Sequence, residues 1–147
     1  MRISVINGPN LNLLGKRDKS LYGSLTLTEI ETGIKQRFPE IEFSFFQSNI
    51  EGEMIDRIQI SSGKSDALII NPGGYAHTSV ALKDALSELK IPVVEVHLSN
   101  LAAREDYRQV LLSASVCNGY ISGFKEKGYY AAVELLKDII ENKGGSF

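Results

Sequence analysis

Short apolar runs that alternate with stretches of helical spacing restrict this chain more than any other feature of it. RISVIN (2–7), EIEFSFFQS (40–48), DALIIN (66–71), IPVVEVHLS (91–99) and SVCNGYIS (115–122) read as strands. DALIIN is continuously apolar between its end residues, as a strand covered on both faces should be. TLTEIETGIKQRF (26–38), EGEMIDRIQISS (51–62), HTSVALKDALSELK (77–90), AREDYRQVL (103–111) and YYAAVELLKDIIEN (129–142) read as helices. In the first, Leu27, Ile30, Ile34 and Phe38 share a face, Thr26 and Glu29 can form a capping box, and Pro39 stops the helix. Met54, Ile55 and Ile58 repeat that spacing in the second, and Gly63 can cap it. In the third, Val80, Ala81, Leu86 and Leu89 are expected to face inward.

Alternating strands and helices build an open parallel sheet with helices on both faces. Right-handed crossovers at this length favour the flavodoxin-like order 2-1-3-4-5. No Pro/Ser-rich linker, repeat or low-complexity tract divides the 147 residues, so residues 1–147 are expected to form a single domain, with ENKGGSF a frayed tail. The net charge is −2, which gives no basic field for nucleic acid or an acidic membrane surface. The first apolar stretch is too short for a signal peptide and no run is long enough to span a bilayer, so the cytoplasm is the default location. The one cysteine, Cys117, cannot form an intrachain disulfide; in SVCNGYIS it reads as a buried, inert thiol.

Ligands of such a sheet sit at the carboxyl ends of its strands. There the chain places its rarer polar residues: Asn10, Arg17 and Tyr22 after strand one, Asn71 at the end of strand three with His77 beyond it, and His97 and Ser99 at the end of strand four with Arg104 beyond them. Both histidines lie on this edge. Glu95 and His97 are two apart in a strand and so share a face. They form either a self-satisfying structural pair or a carboxylate that orients an imidazole and raises its pKa, making it a proton donor. NPGG before a helix is a tight turn whose backbone N–H groups can also cradle an anion. Arg104 and Arg108 are four apart, on one face of the expected helix. NGPNLNLLG matches neither G-x-G-x-x-G nor the P-loop pattern, and no H-E-x-x-H or Cys/His cluster offers a metal site. What remains is proton transfer on a small anion, with no cofactor and no metal.

Four ordered blocks, INGPNLNLLGKR…YG, QSNIEGEMIDRI, INPGGYAHTSVALKDAL and VEVHLSNLAAREDYR, together resemble the type II 3-dehydroquinate dehydratases, from about residue 3 to 136. The resemblance implies a flavodoxin-like fold assembled as trimers into a homododecamer. It implies cofactor-free dehydration of 3-dehydroquinate to 3-dehydroshikimate, a step of the shikimate pathway to aromatic amino acids. It makes Tyr22 the base at C2, with Arg17 beside it, and His97 the acid on the departing hydroxyl, held by Glu95. Asn10 would support the enolate through a water. Asn71, His77, Leu98, Ser99 and Arg108 would hold the substrate, Arg104 would shape the site, and Asp84 would reach in from a neighbouring subunit. The chain departs from the family pattern at Ile50, Gly74, Lys83 and Asp18-Lys19, positions that bear on the lid and the subunit contacts.

The loop GKRDKSLYG is too polar to pack in a core, and alone it reads as a solvated loop with a half-buried tyrosine. Beside the other blocks its cation and phenol acquire a purpose. A free tyrosine titrates near 10, and roughly 3–4 kcal/mol would make it a base at neutral pH. One cation at ~4 Å supplies about 4 kcal/mol at an effective dielectric near 20. A mobile loop would admit substrate, then close the pair over it. Two other readings share the expected fold. A receiver-type signalling module would need paired acidic residues after strand one and an aspartate ending strand three, where this chain has Asn7 and Asn71. A different small-anion lyase or isomerase could use the same site.

Overall fold

The computed structural model describes residues 1–142; most of the expected frayed tail, 143–147, lies outside the described residues. The elements in chain order are β1 (Arg2–Asn7), α1 (Lys19–Tyr22), α2 (Leu27–Arg37), β2 (Glu42–Gln47), α3 (Glu51–Lys64), β3 (Ala67–Asn71), α4 (Val80–Ser87), β4 (Val93–His97), β5 (Gly119–Ser122) and α5 (Lys127–Glu141). The five strands form one parallel sheet in the order β2-β1-β3-β4-β5, the flavodoxin-like arrangement expected.

Strand parity divides the core into two layers. Ile3, Val5, Ile69, Val94 and Val96 pack against Ile30 and Ile34 of α2 and Tyr129, Val133 and Leu136 of α5. Ile6, Leu68, Ile70 and Val93 face Met54 and Ile58 of α3 and Leu82 and Leu86 of α4. Every residue of β3 and β4 is buried, which explains the continuous apolar run of β3 and makes Glu95 and His97 of β4 exceptions that need partners. Burying a side chain such as Ile58 or Leu82 contributes about 1.5–3 kcal/mol.

Thr26 caps α2 as expected, its hydroxyl accepting the N–H of Glu29 at 3.1 Å. Elsewhere the structure corrects the pattern. The stretch after β3 does not start a helix at 77. Gly73–His77 forms a 3-10 turn, and α4 begins at Val80 after the Ser79 cap, whose hydroxyl accepts the N–H of Leu82 at 2.9 Å. The turn is required because Gly73 (φ 60°) abuts Pro9, where a Cβ would lie 3.0 Å from the Pro9 carbonyl oxygen. Of the four residues expected inward, Leu86 is buried and Leu89 packs half-buried on the same core, whereas Val80 and Ala81 are exposed and Leu82 is buried in their stead. Residues 103–111 do not form one helix. Leu101–Ala103 and Asp106–Gln109 are separate 3-10 turns, with Arg104 extended between them (φ −111°, ψ −173°). Gly63 lies within α3 rather than capping it, and β5 starts only at Gly119. Cys117 is therefore outside a strand and half-buried, its Sγ 3.4 Å from the Ser113 carbonyl oxygen; burial first, and the Glu95 charge second, push its thiol pKa up. Among the described residues no helix is long and apolar enough to cross a membrane.

Candidate active site

Parallel register brings the ends of β1 and β3 level, with Asn7 opposite Asn71. Their following loops interlock. Gly8 donates its N–H to the Asn71 carbonyl at 2.8 Å, and a Cβ on Gly8 would meet the Pro72 oxygen at 2.5 Å, so only glycine fits. Below them Tyr129 is wholly buried and donates to Asn7 Oδ1. Burial raises its pKa, so this phenol serves as a structural hydroxyl.

Above this floor opens a small polar cleft of about 100 Å3. Asn10, Arg17, Tyr22, Asn71, His77, His97, Leu98, Ser99, Arg104 and Arg108 all line it. Ten of the twelve residues singled out from the sequence therefore converge. Of the other two, Glu95 stands behind His97 and is fully buried, and Asp84 is exposed on α4, outside this cleft. Pro9, Leu11 and Leu101 form apolar wall that the sequence reading did not single out; Pro9 and Leu11 flank Asn10, so the NGPNL block itself was the available signal. Among the described residues no group of His, Cys, Asp and Glu could hold a metal ion.

One wall is ionic. His97 Nε2 lies 2.6 Å from Glu95 Oε1, so the carboxylate accepts its N–H and leaves Nδ1 as the second ring nitrogen. His77 stacks beside it, ring centroids 6.1 Å apart. Its Nδ1 donates to the Val110 carbonyl at 2.7 Å, which leaves Nε2 an acceptor. Burial lowers the His77 pKa from its ordinary value, so the ring is neutral at neutral pH and can receive a hydroxyl proton.

The opposite wall is the loop between Gly15 (φ 93°) and Gly23 (φ 81°). It is not irregular throughout: Asp18 caps α1, its Oδ1 accepting from the N–H of Ser20 at 2.9 Å and from its hydroxyl at 2.6 Å. That helical turn delivers Tyr22 to the cleft. Arg17 was expected to be the cation serving the phenol. It stacks on the ring face, with Cζ 3.8 Å from the centroid. The phenol oxygen instead receives Nη1 of Arg104 at 2.9 Å, and the same nitrogen reaches Ser99 Oγ at 3.1 Å. Tyr22 thus has two guanidinium neighbours, one on its face and one on its oxygen.

Arg104 and Arg108 do not meet on a helical face; Glu105 gathers them instead, its Oε2 3.6 Å from Arg104 Nε and 2.7 Å from Arg108 Nε. The NPGG turn is less open to an anion than its sequence suggests, because the Gly73 N–H is already donated to Asn71 Oδ1 at 3.1 Å. Gly74 has open space where a side chain would stand.

The chain matches other proteins over nearly its whole length. The sequence model of the family described as Dehydroquinase class II matches residues 1–137. A 3-dehydroquinate dehydratase of Clostridium botulinum (strain Kyoto / Type A2) is 49% identical over 144 residues, covering 96% of this chain and 98% of that protein. One from Aliarcobacter butzleri (strain RM4018) is 46% identical over 142 residues, 95% of this chain and 87% of its own. The crystal structure of a type II dehydroquinase from Butyrivibrio crossotus superposes with a TM-score of 0.90 at 42% identity, covering 93% of this chain and 97% of that one. By that match and those relatives, the chain belongs to the class II dehydroquinase family.

Proposed function

We propose that this protein removes water from 3-dehydroquinate to give 3-dehydroshikimate, a step of the shikimate pathway, by proton transfer between its own side chains and the substrate. The observation that carries the proposal is the pairing of two proton carriers on one cleft: a phenol between two guanidinium groups and an imidazole backed by a buried carboxylate. The Tyr22 phenolate takes the proton at C2, and the bond's electrons pass into the enolate of the adjacent ketone. Asn10 supports that enolate oxygen through a water. As the enolate collapses, the C1–O bond breaks and His97, protonated on Nδ1, gives the leaving hydroxyl its proton. Water departs, and the two side chains exchange their protons through solvent before the next turnover.

Arg17 and Arg104 act on charge that exists only while Tyr22 is ionised, so they are placed to raise turnover rather than ground-state binding. Arg108, Ser99, the backbone of Leu98, Asn71 and neutral His77 offer donors and acceptors for the carboxylate and hydroxyls of the substrate. Closure of the loop between Gly15 and Gly23 excludes water from these pairs. No lysine lines the cleft among the described residues, which favours an enolate over a Schiff base.

Turnover of 3-dehydroquinate by purified protein in the presence of a chelator tests the reaction; no turnover refutes it. Borohydride added with substrate should leave activity intact, and a covalent adduct would replace the enolate route. In the same proposal Asp84 completes the cleft of a neighbouring subunit in a trimer-based dodecamer in the cytoplasm. Tyr22→Phe and Asp84→Ala chains, each inactive alone, should regain activity when unfolded and refolded together. Hybrid oligomers without activity would remove Asp84 from the shared site.

A further inference from the structure

The QSNIEG block (47–52) supplies no residue to the cleft, yet it is as polar as the blocks that do. Its hydrogen bonds converge on a single turn. Asn49 Oδ1 accepts the backbone N–H of Asn10 at 3.0 Å and Gln47 Nε2 at 3.2 Å. Gln47 Nε2 also reaches the Gly8 carbonyl oxygen at 3.2 Å. Two donors meet at the Asn49 atom and two acceptors at the Gln47 atom, which fixes the orientation of both amides. Together the two side chains bracket Pro9, one holding the residue before it and the other the residue after it. The Asn49 main chain is held in turn, its carbonyl accepting the Tyr75 hydroxyl at 3.0 Å. Tyr75 lies on the Gly73–His77 turn that carries His77.

The residue so clamped is unusual. Asn10 has φ 71° and ψ −4°, and only it and Lys125 among the described non-glycine residues have positive φ. Asparagine tolerates this left-handed conformation, but the region costs more than the ordinary ones and persists where neighbours enforce it. Although Asn10 precedes the 3-10 turn Leu11–Leu13, its carboxamide does not cap that turn. The side chain remains uncommitted and lines the cleft. An ordinary backbone conformation at residue 10 would redirect it.

We propose that Asn49 is a positioning residue: by accepting the Asn10 N–H it holds that residue left-handed, so that the Asn10 carboxamide faces the reacting enolate. The inference rests on the role of Asn10 proposed above. Asn49 is exposed at the turn between β2 and α3 and belongs to neither core layer, so its loss spares the fold.

The test is a double-mutant cycle with a conservative control. Asn49→Leu should lower kcat roughly 10- to 100-fold, the scale of a small misplacement of a reacting group, with a smaller change in KM and little change in Tm. Asn49→Asp keeps an oxygen for both donors and should recover most of kcat. In an Asn10→Ala background Asn49→Leu should cost almost nothing further, because its route is already gone. Unchanged kcat in Asn49→Leu, no recovery in Asn49→Asp, or losses that multiply in the double variant would each overturn the assignment. An Asn10→Ala enzyme with full kcat would instead overturn the proposed role of Asn10, and the positioning role with it.

Discussion

The two walls of the cleft are held in place by different physics. His97 and Glu95 lie on β4, whose five residues are all buried and whose neighbours on both sides are strands. Neither side chain can move without disturbing the sheet. Tyr22 ends a four-residue helix with no buried residue, fastened by an aspartate cap and bounded by two glycines of positive φ. His97, the proposed acid, inherits its position from the core. Tyr22, the proposed base, is held by local contacts alone, the kind of element that can open while the rest stays folded. A site that must admit substrate and then exclude water needs one wall of each kind.

The sharpest contrast is between removing the proposed base and removing the support of the proposed acid. Tyr22→Phe should lower kcat by about 10²–10⁴-fold, the usual worth of a positioned proton carrier, with Tm nearly unchanged. A Tyr22→Phe enzyme with most of its kcat would strip the loop of its assigned base. Glu95→Ala should lower kcat as well, but it should also destabilise the fold. The His97 N–H would then lack an acceptor in a buried strand, at a cost of about 1–3 kcal/mol, or roughly 3–10 °C in Tm for a chain of this size. If Glu95→Ala costs activity and leaves Tm intact, the claim that the acid wall is part of the core fails.

Next in size is the hinge. Gly23 has φ 81° and ψ −179°, a region essentially restricted to glycine, and Gly23→Ala costs on the order of 1–3 kcal/mol there. Because the strain sits in a local element, the loop should open instead of the whole protein unfolding. KM should rise about tenfold, the equivalent of ~1.4 kcal/mol. Trypsin should cut faster at Lys16, Arg17 and Lys19, and Tm should move less than in Glu95→Ala. A Tm loss matching that of Glu95→Ala would mean that the loop and core unfold as one unit.

The same division decides what the sequence revealed. The sheet order and the strand-end rim were legible because five short apolar runs alternate with helical spacing, β3 without a polar break, and parity puts Glu95 and His97 of β4 on one face. The wall built from loops was legible in content but not in geometry. The bond from Arg104 to Tyr22 joins residues 82 apart in the chain, and no local pattern encodes it. Arg104 and Arg108 were expected on one helix, but Glu105 and an extended Arg104 bring them together instead. The start of α4, and with it the inward placing of Val80 and Ala81, was misread for a similar reason: Gly73 against Pro9 is a contact between distant segments, and the turn it belongs to delays the helix start to Val80.

The smallest expected effect lies on the rigid wall and concerns pH. His77 is nearly buried, and that burial lowers its pKa below the ordinary 6.5 in spite of opposing help from the Val110 carbonyl and Glu95. As pH falls through 6.5, the unfolded chain takes up a proton at this position before the folded one does. The unfolded state then binds more protons, so stability contributed by neutral His77 is present above that pH and declines below it until the folded ring also titrates. His77→Asn keeps a donor near the Nδ1 position for Val110 but cannot titrate. Between about pH 7.5 and pH 5 the parent protein should therefore lose more Tm than the variant. The excess should stay below about 4 °C, the shift that ~1 kcal/mol produces in a chain of this size. Parallel Tm curves would show that His77 is solvated and mobile in the folded state, and the rigid wall would then end at His97.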